Sequence, residues 1–160
     1  IVFVVEEDKS MFRFCDRYEM VKQGTSDLEN VVVIPSGKFI ISTITFPEYF
    51  LKDYVKEKNF DLSQDLNTFC KYIAPKLNIH VRFAGEEPFD PVTANYNENM
   101  KRILPENGIN FIEIPRMNIE GTDKIINATV VRQLLSEKKI DELKDYIPKT
   151  TLKILEEKYI

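Results

Sequence analysis

The chain has no tryptophan, one histidine, two cysteines and five glycines in 160 residues. None of its apolar runs approaches the roughly 20 residues that a membrane-spanning helix needs, and no signal-peptide pattern is present, so a cytosolic protein without a membrane partner is expected. With His80 alone there is no Ser-His-Asp set. There is also no GxxxxGK followed by Ser or Thr, and no GxGxxG, so hydrolase, P-loop and dehydrogenase readings lack support. Cys15 and Cys70 have no CxxC or histidine neighbour; neither zinc nor a disulfide framework is indicated, and both are expected inside helices as small buried hydrophobes. Basic residues are not in excess either: the net charge is −4 and the lysines and arginines are scattered, which argues against nucleic acid as a partner.

What is there is an ordinary globular composition, 43% hydrophobic and 30% charged, in a length that suits one domain over residues 1–160. Ile1 to Val5 is an apolar run that wants burial on both faces of a sheet, so the chain is expected to begin in the middle of a fold. A helix from about Arg13 to Gln23 follows, with Phe14, Tyr18 and Val21 as its core face and Gly24 closing it. Asp16 and Arg17 in that helix read as a surface ion pair. Asn30 to Pro35 is a second central strand, ended by a turn at Ser36-Gly37. Lys38 to Phe46 is a short strand or an extended loop, Pro47 to Leu51 a helical turn, and Val55 to Leu62 a loop. Ser63 to about Ala74 is a helix with an apolar stripe at Leu66, Phe69 and Ile73.

His80 to Ala84 is the third strand, Thr93 to Leu104 the third helix, and Ile109 to Ile114 the fourth strand, ending in Pro115-Arg116. A polar loop, the helix after Asn127 and two short helices split by Pro148 complete the chain. Strands alternating with helices at this spacing imply an α/β fold, a parallel sheet with helices on both faces. Ligands in such sheets bind at the carboxyl ends of the strands, where Glu6 to Ser10, Ser36-Gly37, Gly85 to Pro91 and Arg116 to Arg132 gather.

Two of these segments carry chemistry. In Asn127-Ala-Thr-Val-Val-Arg132, Asn127 is a good N-cap and Val131, Leu134 and Leu135 recur on one buried face, while Thr129 and Arg132 share another face three residues apart. A hydroxyl, a guanidinium and the free N–H groups of a helix start suit a phosphate chain, although a capped helix with a solvated arginine is the commoner meaning of such spacing. Gly85-Glu86-Glu87 sets two carboxylates after a glycine that allows close backbone approach; they fit a ribose or a hydrated magnesium ion as well as they fit a solvated loop. Glu6, Glu7 and Asp8 are more simply a solvated charge run. His80, at the start of its strand, stands away from these segments.

Ile126-Asn-Ala-Thr-Val-Val-Arg132 resembles the Ile-Ser-x-Ser/Thr-x-Ile/Val-Arg signature of the adenylyltransferases of the nucleotidyltransferase superfamily. Taken with Val4-Val-Glu-Glu-Asp-Lys9, Asp16-Arg17, Val33-Ile-Pro-Ser-Gly37, Thr45-Phe-Pro47, Tyr72-Ile-Ala-Pro75, Gly85-Glu-Glu-Pro-Phe89, Pro91-Val-Thr93, Tyr96-Asn97 and Ile114-Pro-Arg116, nearly the whole chain resembles the C-terminal domain of the citrate lyase ligase family. The resemblance implies a Rossmann-like nucleotidyltransferase sheet and a reaction of ATP with acetate. Acetate attacks the α-phosphorus, pyrophosphate leaves, and the acetyl adenylate acetylates the prosthetic-group thiol of the citrate lyase acyl-carrier subunit, releasing AMP.

It also implies Arg132 and Thr129 as catalytic residues. A nucleotide site is implied at Ser36, Gly37, Gly85, Glu86, Glu87, Arg116, Ile126, Asn127, Ala128, Thr129 and Arg132, with ATP and Mg2+ as cofactors and no dedicated metal ligands. The signature serine is Asn127 here, and the family's Thr-x-Gly-His motif, with its strand and helix, is expected before residue 1, as is a preceding acetyltransferase-like domain. Another adenylyltransferase with a phosphopantetheine-type acceptor, or a nucleotide-binding module without catalysis, are the alternatives.

Overall fold

A computed structural model describes residues 1–8, 10–51 and 63–160; the loop expected over Val55 to Leu62 lies outside them. The chain is α/β, and its described residues fall into two compact units, Ile1–Val4 with Asp8–Pro35 and Met117–Ile160, and Val5–Glu7 with Ser36–Arg116.

In the first unit, β1 (Val2–Val4) pairs parallel with β2 (Val33–Pro35), Val2 opposite Val33 and Val4 opposite Pro35. β2 is shorter than its apolar run because Val31 and Val32 precede the ladder and Pro35, lacking an N–H, ends it. Between them runs α1 (Phe14–Gly24), whose Tyr18 hydroxyl donates to the Val33 carbonyl at 3.1 Å. Phe14, Tyr18 and Val21 are only half-buried; the residue of α1 that is fully enclosed is Asp16. Its carboxylate accepts from Lys158 Nζ, from the Tyr159 hydroxyl at 2.6 Å and from Arg13 Nε at 3.4 Å, and the hydrogen bonds from Lys158 and Tyr159 lower its pKa to about 2. The expected surface pair with Arg17 is therefore a buried clasp to the far end of the chain, while Arg17 ion-pairs with Asp8 at 3.6 Å. Cys15, expected to be buried, is exposed on the adjacent face of the helix.

The carboxyl-terminal helices α5 (Ala128–Ser136), α6 (Ile140–Leu143) and α7 (Lys149–Lys158) close this unit around Leu134, Leu135, Leu143 and Leu155, with Phe12, Met20 and Tyr159 packed against them. The spacing of Val131, Leu134 and Leu135 does here what it predicts.

The second unit begins with α2 (Pro47–Leu51) and α3 (Ser63–Thr68), the latter running on as a π-helical turn over Phe69–Ile73. Its strands β3 (Val81–Gly85) and β4 (Asn110–Ile114) pair parallel, Phe83 opposite Ile112 and Gly85 opposite Ile114, joined by α4 (Pro91–Glu106). Asp90 caps α4 by accepting from the Val92 and Thr93 N–H groups at 2.9 and 3.1 Å, and Pro91 occupies the first helical position, where a missing N–H costs nothing. Val92, Tyr96, Met100 and Ile103 recur at helical spacing and are buried, as are Leu66, Phe69 and Phe46, and the Tyr96 ring stacks on Phe46 at 4.9 Å. Lys38 to Phe46 forms turns, not a strand.

A polar cluster is embedded in that core. Asp65, fully buried, accepts from the Ile41 N–H and the Thr45 hydroxyl, each at 2.6 Å, and from the Tyr96 hydroxyl. Arg82 donates to the same Tyr96 oxygen at 3.1 Å and lies 4.4 Å over the Phe69 ring. Burial and the neighbouring Asp65 carboxylate raise the Tyr96 pKa, with Arg82 opposing. Asp65 also holds Ile41 at a φ of 49°, where a β-branched residue is strained.

The strand pairs are parallel as the alternation of strands and helices predicts, but they form two two-stranded sheets among the described residues. The expectation of strands buried on both faces is not met by β3 and β4, whose residues on one face are half-buried and on the other exposed. α4 covers Arg82 and Glu113, while Val81, Phe83, Ile112 and Ile114 on the other face are exposed. No helix of the described residues is long and apolar enough to cross a membrane.

Candidate functional site

The expected site residues fall into both units. In the second unit they gather at the exits of β3 and β4. The strand ladder continues one step past Gly85, where the Glu86 N–H donates to the Ile114 carbonyl at 2.8 Å, so Gly85 and Glu86 are as well placed as the strand itself. A Cβ at Gly85 would meet nothing within 4 Å, so nothing in the described fold requires glycine there, and the space beside its α-carbon is open to a ligand.

From the end of β4, Arg116 donates through Nε to the Glu86 carbonyl at 2.7 Å and through Nη2 to Glu87 Oε2 at 2.6 Å. Glu87 also accepts from the Phe89 and Asp90 N–H groups at 3.0 and 3.2 Å. Its carboxylate is thereby committed to the loop. Glu86 differs: exposed, with one long contact from the Arg116 N–H at 3.4 Å, it is the carboxylate of the pair with room for a partner.

Ser36 and Gly37 follow β2 directly. The Ser36 hydroxyl accepts from the Glu6 N–H at 3.2 Å and Gly37 takes a φ of 65°, the left-handed turn that glycine favours. Glu7, read from sequence as part of a solvated run, accepts from both the N–H and the hydroxyl of Thr43 at 2.9 and 2.8 Å. Asp8 likewise accepts the Phe14 N–H and so anchors the start of α1. Among the described residues no three His, Cys, Asp or Glu side chains gather as a metal site.

In the first unit the opening of α5 carries the other set. The polar loop before it is held by the Ile119 N–H on the Lys124 carbonyl and the Ile126 N–H on the Met117 carbonyl, both at 2.9 Å. Asn127 takes an extended backbone, and its Oδ1 accepts the Val130 N–H at 2.9 Å; the asparagine caps the helix in place of the signature serine. Ala128 and Thr129 are exposed, and Arg132 donates through Nη2 to the Thr129 hydroxyl at 3.2 Å. A hydroxyl, a guanidinium and the unpaired N–H groups of a helix start thus share one solvent-facing turn, a set of donors suited to an anion of several oxygens.

Three sets of contacts were not read from sequence, although Tyr96 and Asn97 stand among the motifs quoted above. Asn97, buried in α4, donates to the Gly85 carbonyl and to Glu113, and its partners lie 12 and 16 residues away. The Asp90-Pro91 step does carry a local signal, a capping aspartate before proline. The Asp65, Tyr96 and Arg82 cluster has none, since its members come from three elements.

Residues 1–155 match the model of the citrate lyase ligase C-terminal domain family. The chain is 41% identical over 160 residues to the citrate (pro-3S)-lyase ligase of Haemophilus influenzae, covering 97% of this chain and 47% of that protein. It is 35% identical to the enzyme of that name from Klebsiella pneumoniae over 96% of this chain and 46% of the relative, and 36% identical to that of Escherichia coli K12 over 97% and 45%. The chain spans about half the length of the curated relatives it matches. No solved structure matches it.

Proposed function

Because the chain belongs to the citrate lyase ligase C-terminal domain family, we propose that it is the adenylyl-transfer portion of an ATP-dependent ligase, built on a Rossmann-like nucleotidyltransferase plan. ATP and acetate are its substrates and the acyl-carrier subunit of citrate lyase is its partner. An acetate oxygen attacks the α-phosphorus, the bond to the β-phosphate oxygen breaks, and pyrophosphate leaves. The carrier thiol then attacks the acetyl carbon, losing its proton, and AMP departs.

The observation that carries the reading is the start of α5. Phosphoryl transfer asks the protein for positioning and charge stabilisation more than for covalent chemistry. Arg132, Thr129 and the first N–H groups after Asn127 would take the β- and γ-phosphates, where negative charge builds as pyrophosphate departs. In the second unit, taken by itself, the open space at Gly85 suits close approach of a nucleotide, and the exposed Glu86 suits a ribose hydroxyl or the water shell of magnesium. Magnesium keeps several waters and needs, besides phosphate oxygens, only one or two carboxylates, of which Glu86 would supply one. Bound there it would neutralise the phosphate oxygens.

The test is acetate-dependent exchange of labelled pyrophosphate into ATP, in the full-length protein and in this chain alone. Exchange that requires acetate supports acetyl adenylate. Exchange driven instead by a phosphopantetheine-type acceptor moves the assignment to that class, and nucleotide binding without any exchange leaves a binding module.

A further inference from the structure

One buried side chain near this site has no role in the reaction just described. Asn97 is 3% exposed, and both hydrogens of its amide are used: Nδ2 lies 2.9 Å from the Gly85 carbonyl and 2.9 Å from Glu113 Oε1. Glu113 in turn accepts Lys101 Nζ at 2.9 Å on its other oxygen. The hydrogen bonds from Lys101 and then Asn97 hold the Glu113 carboxyl below the usual carboxylate range, so it stays an acceptor at neutral pH. The Gly85 carbonyl belongs to the peptide that carries the Glu86 N–H, and that N–H is bound to Ile114. The plane of the Gly85-Glu86 peptide is therefore gripped from both sides, by β4 through its N–H and by α4 through its oxygen.

We propose that Asn97 is a positioning residue: its amide, oriented by Glu113, fixes the Gly85-Glu86 peptide so that the open α-carbon of Gly85 and the Glu86 carboxylate meet the nucleotide in a single orientation. The inference rests on the nucleotide reading of Gly85 and Glu86. It needs asparagine specifically. Aspartate at 97 is the same size but turns a donor into an acceptor, facing both the Gly85 carbonyl and the Glu113 carboxylate.

That asymmetry supplies the test. In the full-length protein, magnesium-ATP affinity is measured by calorimetry and stability by urea denaturation followed by circular dichroism, for wild type, Asn97→Asp, Glu113→Gln, and the two changes together. Asn97→Asp should lower stability, because it strands buried polar groups, and should weaken ATP binding about tenfold, equivalent to about 1.4 kcal/mol of lost positioning. In the double variant the glutamine amide at 113 donates to the new carboxylate, so the contact between 97 and 113 returns with its direction reversed. The Gly85 carbonyl, however, still lacks its donor. Stability should therefore recover while ATP binding stays weak. Glu113→Gln alone keeps an acceptor oxygen for the Asn97 amide, so the asparagine stays on Gly85 and the Kd should change far less than in Asn97→Asp.

ATP affinity recovering together with stability in the double variant would make Asn97 a packing residue and overturn the inference. An unchanged Kd in Asn97→Asp, or a loss in Glu113→Gln as large as in Asn97→Asp, would do the same. A wild-type protein that binds no ATP would instead sink the nucleotide reading, and this inference with it.

Discussion

Arg116 reaches back from the exit of β4 to the exit of β3 and donates to Glu87 at 2.6 Å, which removes Glu87 from the carboxylates available to a ligand and leaves Glu86 with a single 3.4 Å contact from the Arg116 N–H. Two adjacent acids that are equivalent in sequence thus have different work, one holding the loop and one facing outward.

Glu86→Ala should raise the KM for ATP several-fold while leaving stability within about 0.5 kcal/mol, the range of an exposed substitution. Arg116→Ala should do both kinds of damage, loosening the Gly85 to Asp90 loop and costing about 1 to 2 kcal/mol through its lost charge-assisted hydrogen bonds. Steady-state kinetics beside urea denaturation separates the two. Equal effects of both changes on stability would contradict the division of labour.

Arg132→Ala in the full-length protein should lose roughly 2 to 4 kcal/mol of transition-state stabilisation, the scale for deleting one preorganised donor. Lysine at 132 keeps the charge but not the fork of donors that meets the Thr129 hydroxyl, so it should rescue only part of kcat/KM. Near-normal turnover in Arg132→Ala would take the phosphates elsewhere.

Asn127→Ala removes the cap on the Val130 N–H and should cost about 1 kcal/mol. Asn127→Ser, which places there the serine of the adenylyltransferase signature that this segment resembles, should keep most of that stability. The difference in urea midpoint between the two variants is the measurement; no difference would mean that the cap is idle.

Asp16 sets an acid limit. Its pKa is depressed from 3.8 to about 2 by Lys158 and Tyr159, so its contribution to stability is fully present above about pH 4 and is lost as pH falls from there towards 2. Asp16→Asn should lower stability at neutral pH by about 1 to 3 kcal/mol and flatten the slope between pH 4 and 2. A slope in that window unchanged by the substitution would assign it to other carboxylates.

The sequence speaks clearly where structure is local. The capped helix at Asn127, the strands read as ending at Ala84 and Ile114 and the helical turn at Pro47 all rest on residues within a few positions of one another, and β3 runs one residue further, to Gly85. It misleads where partners are distant. Asp16 looks like half of a surface pair because Arg17 is beside it, whereas its partners Lys158 and Tyr159 are 142 and 143 residues away. Glu6, Glu7 and Asp8 look like one solvated run, yet Glu7 is tied to Thr43 and Asp8 to α1. Apolar strand runs likewise announce that both faces want cover without saying what provides it.

The face of Phe83 and Ile112 brings a practical consequence. Hydrophobic reporter dyes fluoresce on exposed apolar surface and are commonly taken as a sign of lost tertiary packing. This chain offers them such a surface in its folded state, so dye uptake at room temperature would not by itself report lost packing. A melting curve recorded with such a dye would start from a raised baseline, and with no tryptophan to replace it, backbone dichroism becomes the signal of choice.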